Sequence, residues 1–461
     1  MKRFLGLIVA CALSTLAGCD NNGGFVSDVG GGDCSVAGQN ATIKATMQDW
    51  YLFYPQLRNS DPAAFVDIQT FLDDLVADVI PEDRFSYVWS EQDELDFQSA
   101  TYAGFGFSFR VFPIDDVSWD VRLLQVFGEF PAELQTPASS AGLKRGFHIT
   151  AINGVSTDEI IANRPAGTTE SQAISDAFGP PDAGVTGQLA YLDLQGVAGV
   201  ADMTKEVIRF STVALYQVFN LNGKITGYLN FRSFADPSYN ELREAFQSFK
   251  AQGVTNLVMD LRYNGGGLVN VAGYLGDLML GNVVPGQIFY QMLFNDKHSN
   301  YDTSGLVHTA AESLPDLERV VYITTGGTAS ASELVLNGTL AYSPQVQTAS
   351  VGATSYGKPV GSNGFSFCGQ VLRPVTFSVA NAQSSSDYFD GFTPTCVADD
   401  NPNFAFGDVQ EDSLAAALAW IDTGACPAAR VADPSLLKAK QAYLKRETDN
   451  MNYRELVQNY Q

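Results

Sequence analysis

Two short stretches of this chain pair a hydroxyl and an amine that could together perform acyl transfer. In TTGGTASASELVLNGTLAY (324–342) a buried-type strand runs into a glycine-containing loop, and a helix begins near Ser330. A hydroxyl at that point faces the free N–H groups and the positive dipole end of the helix, which favour developing negative charge. The N–H of Ala331 would point at the oxygen of a tetrahedral intermediate. Serine is also a common helix N-cap, and Ser332 and Glu333 suit a capping role as well. In YGKPVG (356–361), Lys358 sits in a tight Gly/Pro loop with no acidic residue from Val346 to Gln370. A lysine is a base only when neutral, and with an ordinary pKa near 10.4 only about one in a thousand is neutral at pH 7.4. Burial without a carboxylate partner can lower that pKa by ~3–5 pH units.

A third stretch, DLRYNGGG (260–267), ends an apolar strand in three glycines. Glycines let backbone approach a ligand closely and expose N–H groups, and the carboxyl end of a parallel strand is where α/β sheets place their sites. The sequence lacks a GxxxxGK[ST] phosphate loop, a GxSxG elbow and an HExxH zinc motif. Its three histidines, His148, His298 and His308, lie in a turn region and in the polar stretch NDKHSNYDTSGLVH, which gives a histidine-based triad no support. Ser435 to Lys438 matches SxxK, but SDN and KTG are absent.

The elements that must position these residues follow from periodicity. From about 38 to 98 the pattern is helical, with Asp61 and Pro62 as a helix start. Residues 100–212 alternate as strands (GFGFSFRVF, VRLLQVF), a turn–strand–turn (AGLKRGFHITAINGV), a short helix (TTESQAISDAF) and a closing strand (GQLAYLDL). From 213 onward apolar strands alternate with helices, which predicts a largely parallel α/β sheet. Residues 431–461 read as a charged helical tail, a plain terminal helix. A chain of 461 residues predicts two or three folded units.

Residues 1–18 read as a signal peptide, with Lys2 and Arg3 ahead of an apolar run too short to span a membrane. The run ends in LAGC, which resembles a bacterial lipobox and makes Cys19 the expected site of lipidation. Residues 19–36 (Gly-, Asn- and Asp-rich) predict a flexible lipid-anchored tether. The expected location is the bacterial cell envelope, facing the periplasm. Cleavage leaves 27 − 2 = 25 basic residues against 51 acidic ones, a balance of −26 that disfavours nucleic acid. Four cysteines remain: Cys34, Cys368, Cys396 and Cys426. In an exported chain they predict two disulfides with three possible connectivities. The favoured pairing is Cys368–Cys396 with Cys34–Cys426. Without a CxxC pair, no metal site is expected.

TASASEL (328–334), DLRYNGGG and YGKPVG, in this order and spacing, resemble the carboxyl-terminal processing (tail-specific) serine proteases. AGLKRGFHITAINGV is similar to part of their PDZ domain, GFGF (104–107) to its carboxylate-binding loop, and DRFSYV (83–88) to the segment preceding it. The resemblance spans about 37 to 425. It implies an α/β fold: a crotonase-like ββα-spiral protease core (213–430), an inserted upstream PDZ-like β-rich domain (100–212) and a small helical N-terminal domain (37–99). It implies Ser330 as nucleophile, Lys358 as general base, and an oxyanion hole from the N–H of Ala331 and one from Gly267, with Gly266 the alternative. Gly104, Phe105, Gly106 and Phe107 would bind the free C-terminus of a protein or peptide substrate, and no cofactor is implied. Ser362 stands where some members carry a glutamine that orients the lysine, and the interval from serine to lysine is a few residues longer. Two other functions fit the same motifs: a non-catalytic PDZ lipoprotein adaptor, and a serine hydrolase acting on peptidoglycan peptides.

Overall fold

The computed structural model describes residues 26–30, 32–80, 83–114, 118–128, 134–428, 440–445, 448, 451, 453, 454 and 456. Residues 1–18, expected as a signal peptide, and Cys19 lie outside these residues. A six-stranded sheet runs in the order Val213–Leu221, Lys224–Phe231, Asn256–Asp260, Arg319–Thr324, Gln347–Gly352, Cys396–Val397. Its first pair is antiparallel and the rest parallel. Strand Asn256–Asp260 is buried throughout, as a strand covered on both faces must be. Helices Ser238–Ala251, Val269–Leu280 and Ala331–Leu340 pack on one face, where Leu242, Ala245, Phe246 and Phe249 form one helical stripe in the largest apolar cluster. Burying each such leucine or phenylalanine contributes about 1.5–3 kcal/mol. Helix Asp412–Thr423 covers the other face.

The β-rich unit is a five-strand path, Phe107–Pro113, Trp119–Val126, His148–Ile152, Thr186–Leu192, Ala198–Thr204, with helix Glu170–Ala177 beside it. GQLAYLDL does not close this unit: two strands follow, and the last, Glu206–Arg209, pairs antiparallel with Thr101–Gly104. Entry and exit chains therefore leave the unit side by side. At the N-terminal end Asp61 caps only a 3-10 turn (Pro62–Ala64), and the second helix, Ile68–Val76, starts at the cap of Asp67. Proline fixes the backbone at the first turn, but the residues after Ala64 become extended, so the turn does not propagate.

The disulfides correct the favoured pairing: they join Cys34 to Cys368 and Cys396 to Cys426, with Cα separations of 5.6 and 5.4 Å. Strand Val26–Asp28 pairs in parallel with Gly364–Phe367, which brings Cys34 to the hairpin turn at Cys368. Cys396 lies on the edge strand of the main sheet, and Cys426 follows the helix packed beneath that sheet. Sheet pairing, which the sequence does not display, decides which cysteines meet.

Candidate active site

Ser330, Lys358, Gly267 and Ser362 line one small cavity of about 60 Å³, together with Trp89, Phe97, Arg373 and Tyr453. Ser330 is the N-cap of helix Ala331–Leu340 and holds φ +56° and ψ −116°, a left-handed conformation that few side chains adopt. It persists because neighbours over-determine it. The Ser330 N–H donates to Glu333 Oε2 at 3.0 Å, and the Ala329 N–H donates to the Asn264 carbonyl at 3.1 Å. Glu333, wholly buried, also accepts from Ser355 Oγ (2.6 Å) and from the N–H groups of Gly357 (2.7 Å) and Lys358 (2.8 Å). One carboxylate thus ties the serine turn to the lysine loop. Burial pushes its pKa up, against the four donors that hold it down. In the sequence Glu333 shows only as a cap, since its partners other than Ser330 lie more than twenty residues away.

Lys358 is 4% exposed, and among the described residues no carboxylate lies within salt-bridge distance of its ammonium group. Burial holds its pKa well below the ordinary lysine value, with Asp83 and Glu333 opposing that shift and Arg373 adding to it. Asp83 is already committed, accepting from the N–H groups of Phe85 and Ser86 (2.8 and 3.0 Å), Ser86 Oγ (2.6 Å) and the Tyr51 hydroxyl (2.8 Å). Arg373 is engaged by Glu94, whose Oε2 takes Nε at 3.0 Å.

The glycine turn separates the two candidate oxyanion donors. The Gly266 N–H is taken by Asn264 Oδ1 at 2.9 Å, which removes it as a donor. The N–H groups of Gly267 and Ala331 have no partner among the described residues. Gly266 (φ +104°) must be glycine, because a Cβ there would come within 2.8 Å of Ser330 Cβ, Ala329 O and Ala331 N. Arg262, which carries this turn, lies in a buried network: Nε and Nη2 reach Asp260, Nη1 reaches Asp400, and both terminal nitrogens reach Glu411, all at 2.9–3.0 Å. Arg145 of the β-rich unit joins it through Asp400 at 2.7 Å.

A second groove, of about 640 Å³, lies between strand Phe107–Pro113 and helix Glu170–Ala177. Gly104, Phe105 and Phe107 line it, with Phe109, Phe178 and Lys205. Gly106 does not: it turns the chain at φ +94°, and its carbonyl accepts from the Phe127 N–H. Trp89 and Phe97 border both this groove and the serine–lysine cavity.

The model for "Peptidase family S41" matches residues 225–397, and that for "Peptidase S41 N-terminal domain" matches residues 38–87. A carboxyl-terminal-processing protease of Synechocystis is 26% identical over 223 residues, 48% of this chain and 47% of that one. The chain thus matches about half the length of that relative. A carboxy-terminal-processing protease of Bartonella bacilliformis is 23% identical over 350 residues, 72% of this chain and 69% of that one. Among solved structures, an S41 protease from Bacteroides fragilis superposes with a TM-score of 0.64 at 24% identity, covering 83% of this chain and 97% of that one. A photosystem II D1 C-terminal processing protease gives 0.50 at 16% identity, covering 86% and 99%. These two likenesses concern the fold alone, a mixed α/β peptidase fold.

Proposed function

From the match of residues 225–397 to peptidase family S41 and of residues 38–87 to its N-terminal domain, we propose that the chain is a serine-type endopeptidase of the C-terminal processing type, with Ser330 as nucleophile and Lys358 as general base. The observation that carries this reading is a buried lysine with no carboxylate within salt-bridge distance among the described residues, lining the same cavity as a serine in a strained turn at a helix N-terminus. Neutral Lys358 would take the hydroxyl proton as Ser330 Oγ bonds to the scissile carbonyl carbon. The N–H groups of Gly267 and Ala331 would hold the oxyanion, each worth about 3 kcal/mol. As the C–N bond breaks, the Lys358 ammonium would return the proton to the leaving amine. Water, deprotonated by the same lysine, would then release the acyl group. No cofactor enters this sequence.

The β-rich unit is read as a PDZ-like domain inserted ahead of a crotonase-like core. Its groove would receive a free C-terminus as an added strand beside Phe107–Pro113. Phe105, Phe107, Phe109 and Phe178 offer apolar walls for the terminal side chain. Amidating the C-terminus of a bound peptide is expected to abolish its binding; unchanged affinity would refute the assignment. The expected substrates are exported proteins, met by an enzyme anchored through Cys19 and facing the periplasm. Labelling cells with an alkyne-bearing fatty acid checks the anchor: it should enter the parent and be lost in Cys19→Ala.

The test of the catalytic reading uses protein beginning at Asp20, which retains strand Val26–Asp28. The parent, Ser330→Ala and Lys358→Ala are incubated with unfolded proteins differing only in their last residues, and products are read by mass spectrometry. Cleavage by the parent that depends on the tail and is lost in both variants is expected. Cleavage surviving either substitution would refute the dyad.

A further inference from the structure

The charged C-terminal segment, expected as a plain terminal helix, is helical at residues 440–445, and its described residues pack along the loops that form the serine–lysine cavity. Lys440 pairs with Asp399 at 2.8 Å, and Gln441 donates to the carbonyls of Gly352 (3.3 Å) and Ala398 (3.1 Å). Thr448 is buried against Gly326 of the serine loop, where a Cβ would come within 2.6 Å of its hydroxyl. The Met451 carbonyl accepts from the Tyr356 hydroxyl at 2.8 Å. The Tyr453 N–H donates to the Arg84 carbonyl (2.8 Å), Arg454 donates to the Val88 carbonyl (2.9 Å), and Leu456 is fully buried in the apolar cluster of the N-terminal domain.

Tyr453 is the point of this docking. Its hydroxyl donates to the Gly265 carbonyl at 2.8 Å, and its side chain lines the same cavity as Ser330. The Lys358 amine lies 3.0 Å from the centre of its ring. The phenol therefore lies among nucleophile, base and glycine turn, where a scissile carbonyl would have to sit about 3 Å from the oxyanion donors. The remaining cavity of about 60 Å³ holds a water or two, not a peptide. Burial holds the phenol up at about 12, so it stays a neutral donor to the Gly265 carbonyl at physiological pH. The neighbouring groove is about ten times larger and shares Trp89 and Phe97 with this cavity.

We propose that the C-terminal segment is an intramolecular plug of the Ser330–Lys358 cleft, with Tyr453 as the stopper, and that cleavage of any substrate in trans requires its displacement. The proposal rests on the Ser–Lys reading of the cleft. A site open in a small fraction of molecules works at that fraction of its full rate, so releasing the plug raises the rate by the inverse of that fraction.

The test compares the parent, Tyr453→Ala, and Tyr453→Ala/Ser330→Ala, all as the chain from Asp20 to Gln461. Two readouts are used: the rate of labelling by a small fluorophosphonate, and kcat/KM on an unfolded protein. Tyr453→Ala is expected to raise both by about tenfold or more, and a synthetic peptide of residues 440–461 added in trans should reverse the gain. If Tyr453→Ala is folded by circular dichroism and neither readout rises, or both fall, the plug is refuted. Labelling that persists in the double variant would instead refute Ser330 as the nucleophile, which keeps the two failures apart.

Discussion

Arg262 and Lys358 are both cations taken out of water, 1% and 4% exposed, and the protein treats them in opposite ways. Burial works against the charge of Arg262, but Asp260, Glu411 and Asp400 come with it, and their combined field holds its pKa well above the ordinary value. Among the described residues no carboxylate lies within salt-bridge distance of Lys358, and the same burial drives its pKa well down. The pair shows what decides the charge of a buried base: whether counter-charges are buried with it, not how deeply it lies. Arg262 anchors the strand end that carries the glycine turn. Lys358 lines the same cavity as Ser330.

Removing either member breaks the comparison most visibly. In a Tyr453→Ala background, Lys358→Ala and Lys358→Arg are each expected to lower kcat/KM about 10²–10⁴-fold. The arginine variant keeps the bulk but carries a fixed charge, so its failure would isolate the need for a neutral amine; retained activity in it would contradict that need. Arg262→Met should cost about 3–5 kcal/mol in urea unfolding, because Asp260, Asp400 and Glu411 are left buried without their partner. Lys358→Met should change stability with the opposite sign, raising it by about 1 kcal/mol or more at pH 7. The folded state disfavours the proton that the unfolded lysine keeps, and this cost disappears with the amine.

A smaller effect separates the sites by pH. Arg145 and Arg262 overcome burial and hold Asp400 well below the usual carboxylate range; Arg262 does the same for Glu411, less strongly. Their contribution is complete above an unfolded pKa near 4 and is lost as pH falls towards the folded values. Urea midpoints should therefore fall on the acid side from about pH 4 downward. Asp400→Asn should flatten that fall, and an unchanged slope would remove Asp400 from the account.

Much of this was legible in the sequence where the information is local. TNLVMDLR and RVVYITT are near-continuous apolar runs, and the structure buries both as neighbouring parallel strands. SYNELREAFQSFKA has one apolar stripe, and it forms the expected helix. TASASEL, DLRYNGGG and YGKPVG each sit at a strand end, and parallel strands bring their ends to one edge. What could not be read depends on pairing between distant segments. Asp400 meets Arg145 and Arg262 across more than a hundred residues, and Cys34 meets Cys368 across 334. Tyr453 in its polar tail resembles any surface aromatic until the fold places Gly265 and Lys358 around it.

The most direct test of the central claim is the pH dependence of Ser330 labelling by a fluorophosphonate in the Tyr453→Ala chain. The account predicts a rate that rises with pH through one ionisation clearly below the ordinary lysine value near 10.4, and that is lost in Lys358→Ala. A rate flat from about pH 5 to 9, or a rise unchanged by Lys358→Ala, would contradict it.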